Sequence, residues 1–133
     1  MSADGGRGDD AAPHIVALGG GHGLYATLSA VRSLSTRVTA VVTVADDGGS
    51  SGRLRAELGM IPPGDLRMAL AALAADTPQG RLWADILQHR FGGSGALAGH
   101  SVGNLLLAGL SEVLGDPVAA LDEAARLLGV DGR

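Results

Sequence analysis

Ile15-Val-Ala-Leu-Gly-Gly-Gly-His-Gly23 is the stretch whose reading decides the fold. Its first half is a short apolar run, and its second half is a glycine-rich turn. Leu24-Tyr-Ala-Thr-Leu-Ser-Ala-Val-Arg-Ser-Leu34 follows, with Leu24, Leu28, Val31 and Leu34 at helical spacing on one face. The order strand, glycine turn, helix aims backbone N–H groups and a helix N-terminus at one point, and that point favours an anion. The first expectation is a phosphate-bearing ligand at Gly19, Gly20, Gly21, His22 and Gly23.

Working outward, the pattern predicts a strand over 14–18 and a helix over 22–34. Arg37-Val-Thr-Ala-Val-Val-Thr-Val44 is β-branched and nearly apolar on both faces, as a parallel strand covered by helices would be. Asp46 to Arg53 encloses no apolar residue and reads as a loop. A short helix over 53–58 and a turn over 59–64 come next. Asp65 is placed to cap a helix over 66–75. Thr77-Pro-Gln-Gly80 breaks the chain before a helix over 81–91, with Leu82, Trp83, Ile86, Leu87 and Phe91 inward. Residues 92–100 form a flexible link, and a strongly apolar helix over 101–114 reads as buried on most sides. Asp116-Pro117 opens a last helix over 117–128, with Val118, Leu121, Ala125 and Leu128 on one face, and Gly129 ends it.

This tally holds two strands against five long helices and one short one, which is few strands for a doubly wound sheet. The sequence therefore reads as an α/β chain, the N-terminal part of a Rossmann-like parallel sheet with flanking helices, occupying 14–133. Residues 1–13 are small, polar and glycine-rich, and read as a disordered tail.

Composition removes several functions. The 133 residues carry no cysteine, so disulfide scaffolds and thiolate metal sites are excluded. All ten basic residues are arginine, which excludes Schiff-base chemistry and a P-loop lysine. A net charge of −4 without a basic run disfavours nucleic acid as a partner. No apolar run reaches the ~18 residues of a membrane span, and no signal-peptide order precedes the first strand, so the expected location is the cytoplasm. A homo-oligomer is compatible with the composition.

The glycine turn departs from the dinucleotide fingerprint, because Leu24 stands where the third glycine belongs. It is not a Walker A loop either. A helix N-terminus favours an anion by ~0.3–1 kcal/mol, whereas micromolar binding needs about 8 kcal/mol. Other groups must therefore share the ligand. Ligands of open α/β sheets sit at the carboxyl ends of strands, and there the second strand delivers Asp46, Asp47, Gly48, Gly49, Ser50, Ser51 and Arg53. One carboxylate there could accept from ribose hydroxyls. Asp46 and Asp47 together could hold Mg²⁺ beside a diphosphate, or could simply make a turn. Arg67 could reach a phosphate in bidentate fashion, and Asn104 opens the apolar helix beside Gly103. His89 and His100 read as structural or surface residues. No serine has a histidine–carboxylate pattern near it in sequence, so no catalytic residue is assigned.

Gly19-Gly-Gly-His-Gly23, Ala45-Asp-Asp-Gly-Gly-Ser-Ser-Gly-Arg-Leu-Arg55, Pro62-Pro-Gly-Asp-Leu-Arg67 and Gly103-Asn-Leu-Leu-Leu-Ala108 together resemble the gluconeogenesis factor (YvcK-like) family. That family lies in the 2-phospho-L-lactate transferase superfamily. The resemblance runs from about His14 to the end of the chain. It implies a Rossmann-like fold and a cytoplasmic protein that binds a nucleotide sugar such as UDP-N-acetylglucosamine. It also implies roles in growth on gluconeogenic carbon sources and in cell shape. The transferase relatives move a phospholactyl group from a guanosine diphosphate derivative to a deazaflavin with Mg²⁺. His22 stands where that family commonly has a small hydroxyl residue, and its members are longer than this chain. Three functions follow as expectations: a non-catalytic nucleotide-sugar-binding regulator, a phospholactyl-type transferase, and a helical interaction module.

Overall fold

The computed structural model describes residues 12–133. The tail expected over 1–13 falls outside the described residues as far as position 11. Pro13 is anchored, because Ser35 Oγ donates to its carbonyl at 2.5 Å.

Strands β1 (Ile15–Gly19) and β2 (Val38–Val42) pair in parallel, with Ile15 opposite Val38 and Gly19 opposite Val42. A parallel pair needs a crossover, and α1 (Gly21–Val31) supplies it. The α/β class expected from the sequence is the class observed. Ala17 and Val38 on one sheet face meet Leu24 and Leu28 of α1, and Ala69, Ala72 and Leu73 of α3 (Gly64–Leu73). The other face is bare: Val16 and Val41 are exposed, and Leu18 keeps 75% of its surface. Burial of β2 on both faces is therefore not realised among the described residues. Along the free edge of β2, Arg133 N donates to the Val38 carbonyl at 2.8 Å, and Ala40 N donates to the Arg133 carbonyl at 2.6 Å. Those two bonds have the pattern of a parallel pairing at a single residue.

Helices α4 (Pro78–Gln88), α5 (Val102–Leu114) and α6 (Pro117–Leu128) build a second core of Leu87, Leu107, Ala124 and Leu128. Here the periodic reading needs three corrections. Leu82 points outward, while Leu87 is fully buried. Helix α6 buries Ala120, Ala124 and Leu128, and Val118 is exposed. Helix α5 is not surrounded, since Val113 is 83% exposed.

Two further corrections bear on the site. The expected loop over 46–53 is mostly helix, because α2 (Gly49–Leu58) starts four residues earlier than Arg53. Its polar first turn is buried through Ser50 and Ser51, so hydrogen bonding rather than apolar periodicity holds it. Asp65 does not cap α3: the N-cap is Pro63, and no side chain bonds the α3 N-terminus. Helix α3 begins one residue before Asp65, which turns the carboxylate toward the glycine turn instead.

Candidate phosphate-binding site

A helix leaves its first N–H groups without intrahelical partners. Among the described residues, side chains cap three of six helices: Thr77 accepts from Gly80 N, Ser101 from Asn104 N, and Asp116 from Val118 N and Ala119 N. The other three, α1, α2 and α3, have no side-chain cap. Those three N-termini open onto one cavity of about 580 Å³, lined by Gly21, His22, Thr43, Asp46, Gly48–Ser51, Gly64, Asp65, Arg67, Met68 and Arg90. Gly21 and Gly49, the first residues of α1 and α2, have φ of +59° and +48°, which a side chain would strain.

The elements meet closely here. A Cβ on Gly20 would overlap Thr43 Cγ2 and Asp65 Oδ2. One on Gly64 would lie 2.5 Å from Ser51 Oγ and 2.6 Å from Asp46 Oδ2. Asp46 Oδ1 accepts from Gly48 N at 2.9 Å, which fixes the turn into α2.

Arg67 is the buried one of the four charged residues that line the cavity, only 5% exposed. Its Nη1 donates to Ser101 Oγ at 2.6 Å and to Asn104 Oδ1 at 3.2 Å, and its Nε is buried without a hydrogen-bond partner among the described residues. None of the ion pairs among the described residues includes it. Burial, followed by the nearby charge of Arg90, lowers its pKa to about 10, while Asp46 and Asp65 act the other way. A guanidinium held dry without a carboxylate is costly unless an anion compensates it.

Beneath the cavity lies a polar layer. Asn104 Nδ2 donates to Ser50 Oγ at 3.1 Å, and Ser50 Oγ stands 2.7 Å from His100 Nδ1. That Ser–His distance suits a nucleophile and base, but no hydrogen bond links the imidazole to a carboxylate among the described residues. Burial and then the Arg53 charge lower the His100 pKa. Among the described residues no carboxylate orients this imidazole as in a hydrolytic triad.

Of the residues expected from sequence, Gly21, His22, Asp46, Gly48, Gly49, Ser50, Ser51 and Arg67 line this one cavity. Gly19 and Gly20 stand behind it, at the strand end and against Asp65. Asn104 lies in the polar layer below. Gly23 is exposed with open space around it, so no close approach explains that glycine. Asp47 leaves the cavity and pairs with Arg55 of α2. Arg53 is also directed elsewhere: its Nη1 and Nη2 donate to the carbonyls of Ala98 at 2.6 Å and Ala96 at 2.8 Å. The link over 92–100 is thus tied to α2 and closed by its own bonds, Phe91 N to His100 O and Gly99 N to Phe91 O, each 2.9 Å. Sequence reasoning missed Thr43, Arg90 and the position of Asp65 on the cavity wall. It also placed no function on His100, since its partner is fifty positions away.

A cavity of about 600 Å³ at the opposite end is bordered by the last turns of α1 and α3, including Ser29, Ala71 and Leu73. Helix C-termini carry the opposite partial charge and do not favour an anion. No helix among the described residues is long and apolar enough to cross a membrane.

A parallel strand–helix–strand unit that brings three uncapped helix N-termini and a buried arginine to one cavity defines an α/β protein. The chain belongs to the family described as 2-phospho-L-lactate transferase CofD, which matches residues 15–133. It is 81% identical over 121 residues to a Mycobacterium leprae protein whose name proposes a gluconeogenesis factor, covering 91% of this chain and 34% of that protein. A Bacillus subtilis protein named gluconeogenesis factor is 48% identical over 121 residues, covering 91% of this chain and 37% of that protein. A crystal structure from Bacillus halodurans superposes with a TM-score of 0.82 at 46% identity, over 90% of this chain and 38% of that one. The chain thus spans about a third of the length of these curated relatives.

Proposed function

We propose that this protein is a cytoplasmic regulator that binds a nucleotide sugar such as UDP-N-acetylglucosamine and performs no chemical step on it. In this reading it serves growth on gluconeogenic carbon sources and the maintenance of cell shape. The observation that carries the proposal is Arg67, a buried guanidinium in no ion pair among the described residues, beside three helix N-termini that no described side chain caps. A diphosphate supplies the acceptors that all four groups lack. The names of the relatives favour the gluconeogenic role. Calorimetric titration of the full-length protein with UDP-sugars tests it. Saturable heat is expected, and neither heat nor competition at millimolar ligand would reject it.

A second reading is favoured by the family match: transfer of a phospholactyl-type group from a nucleoside diphosphate derivative. Mg²⁺ prefers one or two carboxylates plus phosphate oxygens. Asp46 and Asp65, both on the cavity, fit that requirement, and Asp47 does not. The ion would neutralise charge on the departing nucleotide. Mg²⁺-dependent release of a guanosine monophosphate would support this reading, and its absence with a competent acceptor would exclude it.

A further inference from the structure

The polar layer below the cavity has a direction that its chemistry dictates. An arginine can only donate, so Arg67 Nη1 must meet the carbonyl oxygen of Asn104. That orientation sends the Asn104 amide protons to Ser50 Oγ, 3.1 Å away. Ser50 Oγ is thereby an acceptor from Asn104, with one proton of its own to place. Two places are open to it. One is His100 Nδ1, at 2.7 Å. The other is the cavity, which Ser50 lines.

We infer that His100 is a positioning residue for the bound anion: in the filled site its Nδ1–H donates to Ser50, and the Ser50 hydroxyl proton turns onto the ligand. In the empty site the roles reverse, and Ser50 donates to a bare Nδ1. The change moves one proton from Nε2 to Nδ1 by exchange with water and leaves the net charge unaltered. Both forms are neutral imidazole, which suits a buried ring facing Arg53 and Glu57 of α2. A serine that accepts from both Asn104 and His100 has only its donor left, so it discriminates for an acceptor such as a phosphate oxygen. This inference rests on the anion-binding reading of the cavity.

The test is nitrogen NMR of full-length protein labelled with ¹⁵N-histidine, with and without saturating UDP-N-acetylglucosamine. Nδ1 of His100 is expected bare without ligand and protonated with it. A bare Nδ1 in the saturated protein would overturn the inference. Variants give a second readout. His100→Asn keeps a donor near the Nδ1 position and should bind within about threefold of the parent, while His100→Leu should lose about tenfold, the scale of one hydrogen bond. Ser50→Ala should lose as much as His100→Leu, and the double variant no more than either. Equal losses for Asn and Leu, or additive losses in the double variant, would mean that His100 only fills space. Inorganic pyrophosphate as a second probe separates the two readings. Binding of pyrophosphate but of no UDP-sugar defeats the nucleotide reading alone. Binding of either without protonation of Nδ1 defeats this one, and binding of neither defeats both.

Discussion

Gly103 lies against the stem of Arg67: a Cβ built on it would sit 2.7 Å from Arg67 Cγ and 2.8 Å from Cδ. The Leu87 carbonyl oxygen would be 2.7 Å away on another side. The absence of a side chain at Gly103 is thus what lets α3 carry a long cation into the cavity. Gly103→Ala must push either the arginine or backbone aside. Overpacking of this kind costs about 1–3 kcal/mol, and denaturant unfolding should show a loss in that range. Affinity for a nucleotide sugar should fall as well, because the guanidinium moves.

Arg67→Lys and Arg67→Ala separate charge from geometry. Nη1 serves two acceptors, Ser101 and Asn104, from a planar fork that lysine does not have. The lysine variant should bind at least about tenfold more weakly, and the alanine variant about a hundredfold, given the ~1.5–3 kcal/mol of a charged hydrogen bond. Calorimetry on variants whose helical circular dichroism is unchanged would measure both. Equal affinity for parent and alanine variant would remove Arg67 from the site.

Asp46→Ala and Arg53→Ala should part company. Asp46 faces the cavity and holds the turn into α2, so its loss should weaken ligand binding. Arg53 holds the carbonyls of Ala96 and Ala98 outside the cavity. Its loss should speed hydrogen exchange and proteolysis over 92–99 and change affinity little. A large affinity loss in Arg53→Ala would mean that this loop closes on the ligand.

The buried His100 makes stability depend on pH in a definite sense. Burial, then the Arg53 charge, hold its pKa below the ordinary 6.5. As pH falls through that ordinary value, the unfolded chain takes up the proton first, so stability declines toward acid until the lowered folded-state pKa is passed. The contribution is fully present above the unfolded value. Urea midpoints between pH 8 and 5 should fall, and His100→Asn should flatten part of that decline. An unchanged slope in the variant would place the acid sensitivity elsewhere.

Asp116→Ala offers a control remote from the cavity. Its carboxylate accepts from Val118 N at 3.1 Å and Ala119 N at 3.3 Å, capping α6. Loss of such a cap costs about 1 kcal/mol. The melting temperature should drop while nucleotide-sugar affinity, measured well below the transition, stays at the parent value.

Much of the fold was legible because local rules and tertiary demands agree there. Apolar spacing marked Leu24 and Leu28 as the buried face of α1, and Asp116-Pro117 and Gly129 marked both ends of α6. Local reading failed where long-range contacts prevailed. The first turn of α2 has no apolar residue, yet it folds as helix because Ser50 and Ser51 are bonded from α5, more than fifty positions on. Asp65 has the chemistry of a cap, but α3 starts at Gly64, where only a glycine clears Ser51 and Asp46. Val118 and Leu82 look inward by spacing alone, whereas the packed faces are set by which helix each element meets.

The sequence by itself determined the strand–glycine turn–helix unit, the parallel partner of the first strand and the residue types able to meet a phosphate. Those follow from backbone freedom and side-chain periodicity, which act over a few residues. Only the tertiary structure decided that Asp47 and Arg53 leave the cavity, that Asp65 and Arg90 join it, and that Arg67 is held dry by Ser101 and Asn104. Convergence of helix ends depends on how the helices dock, and docking is fixed by contacts between positions 34 to 54 apart, as Arg67 with Ser101 and Ser50 with Asn104 show.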